Sequence, residues 1–452
     1  MRARHLALSV ALVASTAAAQ QTTLFRNATL VDGTGAPAQQ HVDLTIRDGV
    51  VVSVAPTGKA RSHAPTKVVD CTGKFIIPGL ISAHSHLGVL LNNATPSPDA
   101  YNRANVTASL DQFERFGVTT VTSLGLNTDL VYTLREEQHE GKLGGATLLT
   151  AGRGIGVPNG APPFKTAPGQ VDRPSTPEEA RKDVDAYAAH HTDIVKVWVD
   201  NFYNKVPKMD PAIYAAAIDE AHKDHLPIAA HVYYIADAKK LVADGIDLLA
   251  HSVRDQPIDP ALIAAMKQHG TWYIPTLALD EAFYLYAKDP ALLKSPFFRA
   301  AAGPDLLATL EAPDYASKTL AAPLTPQHEK DEAMARANLK RVYDAGIPVA
   351  LGTDSGATPG RIPGFSEHRE LQDLVASGLT PLQAITLGTG TTGKFIHKLN
   401  PTLRVGELKP EYSADFIVLT ANPLANIHNT EHIAAVYHHG RLIPNPPPAP
   451  AN

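Results

Sequence analysis

His84 and His86 stand one residue apart at the end of an apolar run, Pro78-Gly79-Leu80-Ile81, that reads as a β-strand. In a strand, positions i and i+2 point to the same side, so two imidazoles can converge on one ion. Four further residues with metal-binding or proton-transfer chemistry each lie in or close a short apolar run. Lys196 lies in Asp193-Ile194-Val195-Lys196-Val197-Trp198, and His231 follows Pro227-Ile228-Ala229-Ala230. His251 follows Asp247-Leu248-Leu249-Ala250, and Asp354 follows Val349-Ala350-Leu351-Gly352-Thr353. Taken singly, a strand-end histidine can be a hydrogen-bonded structural residue, and Asp354 suits a turn. Together, in successive strand positions, the residues point to a metal site.

Lys196 has two readings. An ammonium facing the interior among histidines is desolvated and repels a cation. Either the side chain points outward to solvent, or its neutral amine has added CO2 to give a carbamate. A carbamate is an anionic ligand with two oxygens and can bridge two cations. His84, His86 and Asp354 would then complete one site, and His231 with His251 the other. Two divalent ions roughly 3.5–4 Å apart hold a bridging hydroxide and polarise a carbonyl or phosphoryl group. Nitrogen and carboxylate donors without thiolate suit zinc, with manganese, cobalt or iron also open.

The elements that must position these residues follow from the hydrophobic pattern. Residues 24–31, 42–46, 50–54 and 67–69 read as short strands, with Asp32-Gly33 and Asp48-Gly49 as turns. From residue 78 short apolar runs alternate with helical patterns, the rhythm of βαβ units and a parallel sheet. Parallel strands are predicted at 79–84, 118–123, 146–151, 193–199, 227–232, 246–251, 271–276 and 348–353. Helices are predicted between them, among others at 106–116, 177–190, 211–224, 235–244, 259–269 and 327–345. The expected fold is α/β: a (β/α)8 TIM barrel over residues 78–404, whose active groups sit at the C-terminal strand ends. Segments 20–77 and 405–443 are expected to join as one small β-sandwich, with the barrel inserted in it. Two long connections, 152–175 and 278–325, are expected to wall the site; in the second, aromatics such as Phe283, Phe297 and Phe298 can instead pack an extra helical hairpin, and the two readings can hold together.

Composition narrows the class. The 452 residues are 44% hydrophobic and 19% charged, enough to bury a large core. A formal charge of −5 argues against a nucleic-acid surface. The single cysteine, Cys71, rules out an intramolecular disulfide and any cysteine-based zinc finger; it is expected buried and inert. Residues 1–19, with a basic start, an apolar run from Leu6 and Ala17-Ala18-Ala19, have the layout of a signal peptide. An exported protein, periplasmic or secreted, with no membrane span in the mature chain is therefore expected. Pro444 to Asn452 is a Pro-rich tail expected to be disordered. A homo-oligomer is left open.

The ordered set of motifs resembles the amidohydrolase superfamily of metal-dependent hydrolases, and within it the imidazolonepropionase-like and prolidase-like group. The resemblance rests on Val69-Asp70-Cys71-Thr72-Gly73, Pro78-Gly79-Leu80-Ile81, His84 and His86, Lys196, His231, His251 and Gly352-Thr353-Asp354. Pro363-Gly364-Phe365-Ser366 with His368, Gly378-Leu379-Thr380-Pro381 and Ala414-Asp415 extend it over nearly the whole chain. It implies a barrel with a small β-sandwich, two divalent ions bridged by carboxylated Lys196, and Asp354 as metal ligand and proton shuttle. The family's usual Asp two places before the first metal histidine is Ser82 here, a change that touches the orientation of a ligand. Its usual Gly-Lys before the final Ala-Asp is Tyr412-Ser413.

Deaminase-like relatives often carry Glu three places after the fifth-strand histidine, where this chain has Tyr234. That favours binuclear hydrolysis over mononuclear deamination. Tyr233 matches the His-x-Tyr pattern of prolidase-like relatives; its phenol can stabilise an oxyanion, or be satisfied nearby as a packed side chain. Arg254 and Arg361 are candidates for pairing with a substrate carboxylate, against the alternative of solvated surface arginines. The expected reaction is hydrolysis of an amide bond in a small N-acyl amino acid or dipeptide-like substrate. A lactone or phosphotriester hydrolase on the same metals is the alternative.

Overall fold

The structure is a computed structural model that describes residues 22–59, 67–163 and 165–450. The segment read as a signal peptide lies outside the described residues. The fold is mixed α/β. Strands Leu80–Ser85, Val118–Ser123 and Thr147–Thr150 form one parallel sheet, and Val195–Val199, Ile228–Val232, Leu248–Ala250 and Trp272–Ile274 another. Several of these strands are buried along their whole length, as parallel strands covered on both faces are, and they are rich in valine, isoleucine and threonine.

Hydrogen bonds carry the sheets round into each other. Asp193 N donates to Thr150 O (3.0 Å), and Tyr273 N donates to Pro348 O (3.0 Å). Ala83 N donates to Leu351 O (2.8 Å), and Thr353 N to His84 O (3.0 Å). The arrangement is consistent with a barrel. Segment 348–353, expected as a full strand, makes only an isolated bridge from Val349 to Tyr273. One cause is visible: Leu351 N donates sideways to Thr392 Oγ1 (2.9 Å), so that amide leaves the ladder.

Helices cover the sheets at the predicted places, including Pro177–Ala189, Pro211–Lys223 and Pro260–His269. Each starts with a capping side chain followed by proline: Thr176-Pro177, Asp210-Pro211 and Asp259-Pro260. The cap accepts a free backbone N–H of the first turn, and the proline gives up an N–H that has no partner there. The terminal segments form a single eight-stranded sheet. Phe75–Pro78 pairs antiparallel with Phe416–Leu419, so the two ends of the chain meet there. Phe25, Phe416 and Tyr437 pack against one another with ring centroids 4.7–4.9 Å apart. Cys71 is buried as expected, and burial pushes its thiol up to about 11.

In Pro444–Pro450, Pro447 is buried and Arg115 Nε donates to Asn445 O (2.9 Å). The aromatics of 278–325 divide. Phe297 and Phe298 pack against Phe116 and Phe365 as ordinary core, whereas Phe283 reaches the central cavity.

The helix Phe365–Ala376 carries a buried carboxyl, Glu370, that accepts the N–H groups of Leu277 and Ala278 (both 2.9 Å). This bond fixes the start of the short helix Ala278–Glu281, which borders the cavity. Burial pushes Glu370 up to about 8, so the folded chain binds a proton here that the unfolded chain releases near pH 4–5. That contribution to stability is present at low pH and is lost as pH rises through 8. In Glu370→Gln the loss is absent, so the difference in Tm between variant and wild type should move in the variant's favour by about 2–4 °C from pH 6 to 8.5. A Tm difference that stays constant over this range contradicts the assignment.

Candidate metal centre

The structure gathers all six sequence-predicted residues into one buried cluster. His84 and Lys196 are fully buried, and His86, His231, His251 and Asp354 nearly so. The imidazoles form a chain, with ring centroids 5.4 Å apart for His84–His86, 4.6 Å for His84–His251 and 4.4 Å for His231–His251. Asp354 Oδ1 lies 2.9 Å from His86 Nε2 and 3.2 Å from His84 Nε2. His84, His251 and Asp354 each offer a ligand atom within 4.8 Å of the others.

The protein fixes which nitrogen each ring presents. His86 Nδ1 donates to Gly125 O (3.1 Å), leaving Nε2 as a lone pair. His231 Nε2 meets Asp200 Oδ2 (2.9 Å), leaving Nδ1 free, and His251 Nδ1 meets Thr276 Oγ1 (2.8 Å), leaving Nε2. These are the carboxylate and hydroxyl partners that orient metal-binding histidines. Burial, reinforced by Lys196, lowers His84 to about 3, and burial lowers His231 and His251 too. At neutral pH the rings are uncharged and can donate to a cation. Burial raises Asp354, but Arg361 and the His84 and His86 bonds outweigh it and hold the carboxylate well below its ordinary value.

Lys196 does not point to solvent. Its Nζ is buried without a hydrogen-bond partner, as is His84 Nδ1, while His84 Nε2 meets only the Asp354 carboxylate, at 3.2 Å. Burial brings the amine down to about 7, against a small opposing pull from Asp354. A buried amine and a buried imidazole nitrogen with no partner, and a histidine lone pair facing a carboxylate, are costly as they stand. A cation among them would satisfy all three, so the donor set fits divalent metal.

Backbone and neighbours hold the cluster tightly. His251, Thr276 and Asp354 have φ of 80°, 47° and 58°, the left-handed region that costs a residue with a Cβ roughly 1–2 kcal/mol. Gly352 is required by contact: a Cβ there would lie 2.6 Å from that of His84. Ser82, the departure from the family pattern, donates to Glu367 Oε1 (3.0 Å). The same oxygen accepts Thr353 Oγ1 (2.6 Å) and Ser355 Oγ (2.9 Å), so one buried carboxyl fixes the His84 strand and both neighbours of Asp354.

Above the cluster lies a cavity of about 270 Å³ lined by His86, His231 and Asp354 and walled largely by apolar groups. Arg254 and Arg361 both line it and are buried, so neither is a solvated surface arginine. Arg361 is spent: it pairs with Asp354 Oδ2 and its Nε donates to Leu279 O (3.2 Å). Tyr233 also lines the cavity, with its hydroxyl donating to Asp331 Oδ1 (2.9 Å). An oxyanion role for that phenol needs this bond to switch.

Sequence reasoning missed Asp200, Asp280, His328 and Asp331. Asp200 was within reach, because positions 196, 198 and 200 share one strand face. Asp280 comes from the insertion, and His328 and Asp331 from the helix Thr325–Asp344 that follows it, where nothing in the pattern says which polar residues turn inward.

Enzymes that hydrolyse with divalent metal are the class of protein in which histidines and a carboxylate gather in this way. The chain belongs to the amidohydrolase family, which it matches over residues 75–443, and is a hydrolase. It is 26% identical over 363 residues to an uncharacterized protein of Mycobacterium tuberculosis, covering 78% of this chain and 81% of that one. It is 24% identical over 480 residues to ochratoxinase of Aspergillus niger, covering 96% and 89%. Among solved structures, a Xaa-Pro dipeptidase with bound methionine has a TM-score of 0.73 at 20% identity, covering 93% of this chain and 99% of that one.

Lys196→Met separates cost from use. An apolar side chain of similar length should stabilise the metal-free protein by about 1–3 kcal/mol, because a buried unpaired amine is removed. The same change should cut metal content and lower hydrolysis more than about 100-fold. A variant that is less stable than metal-free wild type, or that keeps its metal, contradicts the reading.

Proposed function

We propose that this chain cleaves the amide bond of a small N-acyl amino acid or dipeptide-like substrate at a binuclear centre, within a (β/α)8 barrel carried on a small β-sandwich of the terminal strands. The observation that carries this is the partnerless, fully buried Nζ of Lys196 among four buried imidazoles. The amine is neutral enough to add CO2, forming an N–C bond and releasing one proton, and the resulting carbamate would be an anionic ligand for two divalent ions. His84, His86 and Asp354 would hold one ion, and His231 and His251 the other. Zinc suits these donors. Such ions lower the pKa of a water and polarise a carbonyl.

The chain's own groups then handle the proton. Asp354, kept ionised by Arg361, takes a proton as water attacks the carbonyl carbon. It passes the proton to the nitrogen as the C–N bond breaks, giving a carboxylic acid and an amine. The walls of the cavity exclude bulk water and hold the acyl group. Relatives named as a dipeptidase and an ochratoxinase support the choice of an amide. Residues 1–19 support an exported enzyme, and no helix among the described residues is long and apolar enough to cross a membrane.

Turnover of dipeptides and N-acyl amino acids should stop with a chelator and return with zinc, manganese or cobalt. Asp354→Asn should lower kcat about 1000-fold with KM within a few-fold. Hydrolysis confined to lactones or phosphotriesters contradicts the amide reading, and near-normal kcat in Asp354→Asn contradicts the proton role.

A further inference from the structure

Two cavities share one wall. The cavity above the metal ligands and a second, shallower groove of about 710 Å³ are both lined by Tyr203, Tyr233 and Arg254. The groove's other walls include Asn204, Tyr234, Asp255, Lys330 and Met334, and none of the candidate metal ligands lines it. The inner cavity, at about 270 Å³, falls just below the roughly 300–1,000 Å³ of pockets that enclose drug-sized molecules. Two phenol rings and one guanidinium therefore stand between a small room with the chemistry and a larger one without it.

The phenols are tied in place by one carboxylate. Tyr203 lies in the loop after the strand Val195–Val199, and Tyr233 directly follows Ile228–Val232. Their rings meet edge to face, with centroids 5.4 Å apart. Asp331, on the helix Thr325–Asp344, accepts the Tyr203 hydroxyl at Oδ2 (2.6 Å) and the Tyr233 hydroxyl at Oδ1 (2.9 Å). Gln327 Nε2 also donates to Oδ1 (2.8 Å). Asp331 is fully buried, and a carboxylate is tolerated there only because these donors meet it. The Tyr203 loop is bent the costly way: Phe202, Tyr203 and Asn204 have φ of 46°, 58° and 63°, at roughly 1–2 kcal/mol each. Such backbone persists where its surroundings impose it. Asp200 Oδ1 accepts Phe202 N (3.0 Å) and Asn201 Oδ1 accepts Asn204 N (3.1 Å), which fix the base of the loop, while Asp331 fixes the ring at its tip.

We propose that Tyr203, held by Asp331, is a removable partition that limits the length of the substrate: a molecule that ends at the phenols is accepted, and one that continues toward the groove is refused. The inference rests on the amide reading above and deepens it, because it names what stops the substrate and leaves the bond that is cut unchanged. Asp331 acts here as a positioning residue, through the two phenols. A longer chain has to push a ring aside, which strips a buried Asp331 oxygen of its donor, and that loss is the physical source of refusal. The loop's other attachment is to the metal centre, since Asp200 Oδ2 meets His231 Nε2 (2.9 Å). Discrimination between long and short substrates is therefore the informative quantity, and absolute activity is not.

The test runs two ladders on the metal-loaded enzyme and follows leucine release. One extends the acyl end, through N-acetyl-, N-hexanoyl- and N-decanoyl-L-leucine. The other extends the amine end, through Leu-Gly, Leu-Gly-Gly and Leu-Gly-Gly-Gly. In wild type kcat/KM should fall about 30-fold from the first to the last member of at least one ladder. In Tyr203→Ala that fall should shrink by about 10-fold. In Tyr203→Phe, which keeps the ring and loses its tie to Asp331, it should shrink by about 3-fold, and this variant decides alone if the alanine variant does not fold. The long-to-short ratio is read within each variant, so a general loss of activity through His231 does not move it. No fall on either ladder in wild type, or a fall unchanged in the folded variants, overturns the proposal. If wild type hydrolyses neither N-acetyl-L-leucine nor Leu-Gly, the amide reading has failed, and calorimetric binding of the same ladders decides this one. Weaker binding of the longest member by wild type, relieved in the Tyr203 variants, supports the partition, and binding indifferent to length or to these substitutions overturns it.

Discussion

A lysine amine cannot sit without a partner in a protein interior unless something else in the molecule needs it there. Lys196 is fully buried, its nitrogen meets no acceptor, and three of the surrounding histidines, made less basic by burial, are pushed further the same way by its charge. As an ordinary ammonium the group destabilises both itself and its neighbours. As the stem of an anionic bridge it would reverse sign and hold cations between the same imidazoles. The other features of the centre are arranged around that choice: uncharged rings, fixed tautomers, and one carboxylate kept ionised by an arginine.

The surroundings carry the cost of holding the cluster. Left-handed backbone at His251, Thr276 and Asp354 turns three side chains inward at strand ends, and such strain persists only where the neighbouring structure over-determines it. Glu367 supplies part of that restraint by collecting the hydroxyls of Ser82, Thr353 and Ser355. Gly352 supplies another part by leaving room for His84. Farther out, Glu370 anchors the Asp280 helix, so the cavity wall is tied to the helix layer.

The parallel strands and the cluster were legible because their signals are local. A buried parallel strand is a short apolar run, and a histidine at its end stands out against it, as at His231 and His251. The helices were legible through the same periodicity, and the structure adds that they start at Thr176-Pro177, Asp210-Pro211 and Asp259-Pro260. What the chain hid depends on tertiary contact. The burial of Arg254 and Arg361 comes from carboxylates far away in sequence or across a turn, and nothing near Arg254 names Asp280 as its partner. Segment 348–353 lost its ladder partly to Thr392, some forty residues on. The tail from Pro444 has a composition suited to disorder, yet Arg115 holds it through a carbonyl that pattern reading ignores.

A crystal of the zinc-loaded protein, with diffraction recorded on both sides of the zinc absorption edge, tests the central claim most directly. The account predicts two anomalous peaks, one beside His84, His86 and Asp354 and one beside His231 and His251, with density for three additional atoms continuing from the Lys196 amine between them. A single peak with a bare amine, or an amine turned away from both positions, would contradict it.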